Sequence, residues 1–199
     1  MQQSEKLPGN AQNFIIKNDI VYVLSVLYDK NSKRTVGIYS LDINSLKVIE
    51  LIEIPGLTFA FYLREMNGVL EIYGNKNEEA KDLTIYTHDI SNKKTNLIVN
   101  SDIPVMWISK VIDTDKKEII LNDYSIVSLD KYKIPKVEFE NNKTLIDMEY
   151  RESDKSFYVL SGDFEKNEFE VDKLNENFDI IESIPLSIEE KKPTDLLLK

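Results

Sequence analysis

The chain has a single histidine, His88, directly before Asp89 in "IYTHDI". A His–Asp neighbour pair invites comparison with the orienting half of a catalytic triad. Adjacent strand residues point to opposite faces, so the two cannot make that bond in regular β-structure. No GxSxG elbow supplies a nucleophile. His88 therefore reads as a structural surface histidine. Two acidic clusters are the other candidates. Asp113, Asp115 and Glu118 in "DTDKKE" alternate oxygen ligands, but the glycine and the closing glutamate of a calcium-binding EF-hand loop are missing. Asp163, Glu165, Glu168 and Glu170 in "GDFEKNEFE" alternate in charge across a strand, a loop and a strand. Both clusters read as solvated turns. The absence of cysteine excludes disulfides, thiolate metal sites and a cysteine nucleophile. Only six glycines occur, and none forms a phosphate-cradling loop, which argues against nucleotide binding. No catalytic residue, metal or cofactor is assigned.

Composition narrows the partners. A net charge of −10 repels phosphate backbones and anionic lipid headgroups, so nucleic acid and bare membrane are poor partners. A hydrophobic fraction of 42% over 199 residues is enough for one domain with a real core. No apolar run approaches the roughly 20 residues of a spanning helix, and no transmembrane span is expected. The longest run, "IVYVLSVLY" from Ile20 to Tyr28, has strand length. The polar opening "MQQSEKLPGNAQ" lacks the apolar core of a signal peptide and reads as a flexible segment over residues 1–11. It suits the tether of an exported lipoprotein as well as a frayed terminus. The abundance of Ile, Lys and Asn suggests an AT-rich bacterial source.

One short pattern recurs along the chain. "IYSLDINSLK", "IYTHDISNKK", "IVSLDKYK" and "FEVDKLNENF" align on Asp42, Asp89, Asp130 and Asp172, spaced by 47, 41 and 42 residues. Around each aspartate lie four short segments rich in Ile, Val, Tyr and Phe, bounded by Asn, Asp, Gly and Lys. A period in the forties built from strands predicts blade-like units. The expected architecture is all-β: about four four-stranded antiparallel meanders over residues 12–199. The repeats fall near 12–56, 57–106, 107–142 and 143–192. The recurrent aspartate closes the turn between third and fourth strands, because its carboxylate can accept from its own downstream N–H groups. "SIEEKKPTDLL" (187–197) has room for one helical turn at most, and "PTDLLLK" (193–199) reads as a further opening strand.

The repeated form "VYVLS … IYSLD … KVI" resembles the WD40/YVTN-like β-propeller superfamily over about residues 12–187. The nearest matches to its style are Val21–Ser25 and Tyr158–Gly162. No copy carries the Trp-Asp dipeptide or the Gly-His pair of true WD40 repeats. The resemblance implies a partial or small propeller scaffold and no particular activity. A twisted sheet or sandwich of the same meanders is the alternative architecture.

Function is then expected on the loops, which vary in length while the scaffold does not. The expected role is a non-enzymatic binding or scaffold module for a protein or carbohydrate ligand. It would be part of an exported bacterial protein or lipoprotein, extracellular or anchored at the cell surface, with the cytoplasm as the alternative. The candidate binding residues are Trp107, Asn75, Lys76, Asn77 and Asp163, on the side of the second-to-third-strand loops. Trp107, the only tryptophan, either packs between sheets or serves as an exposed anchor. The competing roles are an enzyme of the propeller lactonase or glycosidase class and a structural subunit of a larger assembly.

Overall fold

The computed structural model describes residues 7–77, 79, 81–186 and 193. The described residues form sixteen strands in four antiparallel sheets, each sheet made of four strands consecutive in sequence. Sheet 1 holds β1 (Asn10–Lys17), β2 (Ile20–Tyr28), β3 (Arg34–Asp42) and β4 (Val48–Ile54). Sheet 2 holds β5 (Phe59–Met66), β6 (Val69–Asn75), β7 (Leu83–Asp89) and β8 (Lys94–Ser101). Sheet 3 holds β9 (Ile108–Asp113), β10 (Glu118–Asn122), β11 (Ser125–Leu129) and β12 (Pro135–Glu140). Sheet 4 holds β13 (Thr144–Arg151), β14 (Ser156–Asp163), β15 (Glu168–Leu174) and β16 (Ile180–Leu186). The all-β class and the four meanders read from the sequence are therefore present. Strand β1 already includes Asn10 and Ala11, paired with Val26 and Ser25, so the ordered sheet reaches into the segment expected to be flexible. Residues 1–6, and the turn and strand expected over 187–199 apart from Pro193, lie outside the described residues. No helix among the described residues is long and apolar enough to cross a membrane.

Turn chemistry sets the register. Between β1 and β2, Asn18 and Asp19 both take positive φ (49° and 62°); between β5 and β6, Asn67 and Gly68 do the same (52° and 84°). Two consecutive left-handed residues give the turn that matches strand twist, and short polar side chains or glycine tolerate it. Between third and fourth strands the recurrent aspartate behaves as expected in three sheets. Asp42 Oδ1 accepts from the Ser45 N–H and hydroxyl, both at 2.7 Å. Asp89 Oδ1 accepts from the N–H groups of Ser91 and Asn92 at 2.9 Å. Asp130 Oδ1 accepts from those of Tyr132 and Ile134, also at 2.9 Å.

The fourth sheet corrects the alignment. Asp172 lies inside β15, is 2% exposed and accepts from the Ser183 hydroxyl. The turn residue is Asn175, whose Oδ1 accepts from the N–H groups of Asn177 and Asp179 at 2.8 and 3.0 Å. An amide oxygen does the same work as a carboxylate oxygen here. The repeat is kept, and only the residue type changes. In all four turns a residue three or four places on takes positive φ: Leu46, Lys93, Lys133 and Phe178.

The chain divides into two compact units, Met1–Val105 and Met106–Lys199, each with two sheets. In the first unit, Tyr22, Leu24, Val36, Ile38 and Ile54 of sheet 1 pack against Ala60, Leu63, Leu70, Ile72 and Tyr86 of sheet 2. In the second, Ile119, Leu121 and Ile126 of sheet 3 pack with Leu145, Met148, Phe157, Val159 and Leu174 of sheet 4 and with Phe178 from its last turn. Both cores follow from period-two alternation, which sends every second side chain of a strand to the same face.

Candidate functional site

At the end of sheet 3 where β10 turns into β11, one side chain organises the backbone. Asn122 is 5% exposed. Its Oδ1 accepts from the N–H groups of Met106 and Trp107 at 3.1 and 3.3 Å, and its Nδ2 donates to Ser125 Oγ at 3.0 Å. The segment entering β9 is thereby fixed against the β10–β11 turn. Three large side chains lie exposed at this end: Met106 (59%), Trp107 (42%) and Tyr124 (47%). The Tyr124 carbonyl is held by the Asn141 N–H at 2.9 Å, so the tip of the turn is braced as well. Trp, Tyr and Met side chains are thus held out to solvent on a hydrogen-bonded backbone.

The β6–β7 loop of the first unit is built differently. Asn75 is 1% exposed, and its Nδ2 donates to the carbonyls of Asp82 and Val105. The Asp82 carboxylate accepts from the N–H groups of Lys76 (2.8 Å) and Asn77 (3.2 Å) and from the Thr84 hydroxyl (2.9 Å). Asn75 is thus an internal brace, Lys76 is half-buried, and Asn77 is exposed. In the second unit, Asp163 caps the β14–β15 turn through the N–H groups of Glu165 and Lys166. The Lys166 ammonium at 2.9 Å, with those N–H groups, holds the Asp163 carboxyl below its ordinary value. Of the five candidate residues, Asn75, Lys76 and Asn77 belong to the first unit, and Trp107 and Asp163 to the second.

The second unit also contains a cleft of about 170 Å³ at the opposite ends of its strands, beside the β9–β10 and β15–β16 turns. Its floor is aromatic. Phe157 stacks on Phe178 with centroids 4.9 Å apart, and Tyr150 lies 4.8 Å from Phe157. Thr114, Lys116, Lys117, Glu176 and Asn177 form the rim. The Lys117 ammonium sits 5.8 Å from the Phe178 ring and 2.6 Å from Glu138. Burial, with Glu152, Glu176, Asp115 and Asp154 nearby, pushes the Tyr150 hydroxyl above its ordinary pKa. These residues come from the β9–β10 and β15–β16 turns and from strands β10, β13 and β14. The one local signal was the bulky Phe178 in "NENFD", at a place where the other repeats carry Leu46, Lys93 or Lys133.

His88, Asp89 and Glu118, weighed for catalysis or metal binding, each have a partner within their own sheet. His88 is buried at 5% exposure, not on the surface, with Nδ1 2.9 Å from Thr95 Oγ1. It shares a face with Leu70 and Tyr86, which pack against sheet 1, and burial lowers its pKa. Asp89, on the opposite face, is spent on its turn. Glu118 is 6% exposed and paired with Lys133 at 2.7 Å. Among the described residues no group of three or more His, Asp or Glu side chains is placed to hold a metal ion.

No family model and no curated protein matches the chain. Solved structures do. The N-terminal domain of Nup159 matches with a TM-score of 0.50 at 14% identity, over 92% of this chain and 46% of that one. YjhT matches with a TM-score of 0.55 at 12% identity, over 93% of this chain and 67% of that one. The chain thus spans about half the length of the Nup159 domain and two thirds of YjhT. At such identities the likeness concerns the fold alone, and both are β-propeller proteins. Four consecutive four-stranded antiparallel sheets, matched to propellers over most of the chain, give this protein a β-propeller-like fold.

Proposed function

We propose that the chain is a non-enzymatic binding module that engages a protein partner through the loop end of sheet 3. The observation that carries this is the exposure of Met106, Trp107 and Tyr124 on a backbone fixed by buried Asn122. Rigid aromatics contribute contact area at low entropic cost, and Trp and Tyr are the residues most enriched among binding hot spots. Methionine beside them favours a protein over a carbohydrate ligand. The lactonase or glycosidase alternative would draw on His88, which is buried against Thr95.

The test uses the whole chain and its sole tryptophan. Partners are captured on wild-type protein and on the double variant Trp107→Ala, Tyr124→Ala. A protein retained by the first and lost by the second, and whose addition shifts Trp107 emission, supports the reading. Partners held equally by both would sink it, and so would a glycan as the retained species. The proposal extends to an exported bacterial protein or lipoprotein. A signal peptide ending in a lipobox upstream of this sequence in its gene supports that setting, and a leaderless gene opposes it.

A further inference from the structure

The aromatic cleft of the second unit lies at a place where the first unit carries a salt bridge. By strand register, Tyr150, opposite Phe157, holds the position of Glu65, opposite Leu70. In the first unit Glu65 pairs with Lys17 at 2.8 Å and ties sheet 2 to sheet 1. In sheet 4 a ring stands there instead, and Phe178 adds another at the turn position that Lys93 holds in sheet 2. Sheet 2 thus has Glu65, Leu70 and Lys93 where sheet 4 has Tyr150, Phe157 and Phe178. Since sheet 2 is built without rings at these places, the aromatic floor is not a requirement of the fold.

The floor adjoins a second, smaller hollow. The cleft has about 170 Å³ of room and the hollow about 40 Å³, and Tyr150, Lys116 and Glu176 line both. An apolar cavity of about 150 Å³ takes up a benzene ring, and a water-sized group needs only about 10–15 Å³. One ring therefore fits the cleft, and one small polar head fits the hollow. Carboxylates outnumber ammonium groups around the hollow: Asp115, Glu152 and Glu176 against Lys116 and Lys155. Beyond burial, the groups that raise the Tyr150 pKa are all carboxylates, so the potential at its hydroxyl is negative. That hydroxyl has no hydrogen-bond partner among the described residues. Among those residues Glu176 is held by Lys116 alone, at 3.9 Å, with side chains 46% and 74% exposed. A pair so long and so solvated contributes little and yields to a competitor. The wall already accepts a cation against a ring, since the Lys117 ammonium lies 5.8 Å from the Phe178 centroid.

We infer that this cleft binds a small arylalkylamine, its ring on the floor of Tyr150, Phe157 and Phe178 and its ammonium in the smaller hollow. There the ammonium takes Glu176 over from Lys116 and donates to the Tyr150 hydroxyl. The ring faces add attraction, because their quadrupole favours a cation at close range. An anion of the same shape meets three carboxylates, and a neutral alcohol gains no ion pair. The site lies at the opposite ends of the strands from Trp107 and does not depend on the protein partner proposed for that end.

Titrations followed by protein NMR test the inference. The ligands are phenethylamine, its neutral and anionic analogues 2-phenylethanol and 3-phenylpropionate, and ethylamine as the ringless control. Phenethylamine should shift the signals of Tyr150 and Phe178, and the other three should bind about tenfold more weakly. Glu176→Gln should weaken phenethylamine about tenfold and leave 2-phenylethanol unchanged. Lys116→Ala, which removes the competing ammonium, should tighten it. Both side chains are exposed, so neither change endangers the fold. Unmoved Tyr150 and Phe178 signals at millimolar phenethylamine overturn the inference, and so does equal affinity for 3-phenylpropionate. Indifference to both Glu176→Gln and Lys116→Ala overturns it as well. Trp107→Ala with Tyr124→Ala should bind phenethylamine as the wild type does, so this result and the partner-binding result can fail independently.

Discussion

The backbone N–H of Trp107 donates to Oδ1 of Asn122 across 3.3 Å, and the same oxygen accepts from Met106. The aromatic proposed as an anchor is therefore positioned by a side chain that is itself buried. Asn122→Ala would leave two N–H groups without their acceptor and Ser125 without its donor. A loss of about 1–3 kcal/mol is expected from urea unfolding. Trp107 emission should move to longer wavelength in the native state. Asn122→Asp keeps the acceptor and should cost less; equal losses for both would show that Oδ1 is not the brace.

Glu138 gives a pH-dependent test. Its side chain is 4% exposed, and burial by itself would raise its pKa. Donation from Lys117, Lys136 and Ser128 outweighs burial and brings the value from 4.5 down to about 2. A depressed folded-state pKa stabilises above the unfolded value, and the gain is lost as pH falls from 4.5 towards 2. The difference is worth about 3 kcal/mol as an upper figure. Glu138→Gln should lower stability at pH 7 and flatten the acid limb below pH 4.5. An acid limb identical to wild type would contradict the pairing.

Asp172 has the opposite sign. Burial raises its pKa, which the Ser183 hydrogen bond only partly offsets. A carboxyl with a raised folded pKa costs stability above that pKa, and the cost disappears below the unfolded value of 3.8. Asp172→Asn should therefore raise the melting temperature at pH 7 and make little difference below pH 3.8. Asn175→Ala, which removes the true turn acceptor, should lower the melting temperature by a few degrees at either pH. If the two changes had the same effect, the reassignment of the fourth turn would be wrong.

Gly74 sits opposite Ala60, next to the register shift between Ala60 and Tyr62. A Cβ there would lie 2.2 Å from the Phe59 carbonyl oxygen and 2.9 Å from the Ala60 Cα, both backbone atoms. Neither can move without parting β5 from β6. Gly74→Ala should destabilise by about 1–3 kcal/mol, as overpacking does. Gly68→Ala meets open space, but at φ 84°, and is expected to cost less. Chemical denaturation of both variants decides the order.

What was legible in the sequence is what local chemistry fixes. Alternation in "IVYVLSV" and its counterparts marks strands, and a side-chain acceptor followed by a short polar run marks their turns. The fourth turn was misplaced by three residues because Asp172 matched by type, while Asn175 holds the position through the same kind of oxygen. His88 read as a surface residue because its burial comes from sheet 1, tens of residues away in the chain. Asn75 looked like a loop residue, yet it ends a strand and points its amide at two carbonyls. The aromatic cleft joins Tyr150, Phe157 and Phe178 across strands and turns, and no single window of sequence contains it.

The left-handed residues that close the third-to-fourth-strand turns have a consequence for engineering. None of Leu46, Lys93, Lys133 and Phe178 is a glycine, and an L-residue with a Cβ held in that region is strained by about 1–2 kcal/mol. Phe178 must stay, since its ring fills the core, and Lys133 is tied to Glu118. Leu46 is half-buried, and Lys93 is exposed, its pairing with Glu50 at 3.0 Å lying at the surface where such pairs contribute little. Glycine or asparagine at those two turns would draw on a reserve of thermal tolerance that the natural sequence leaves unused.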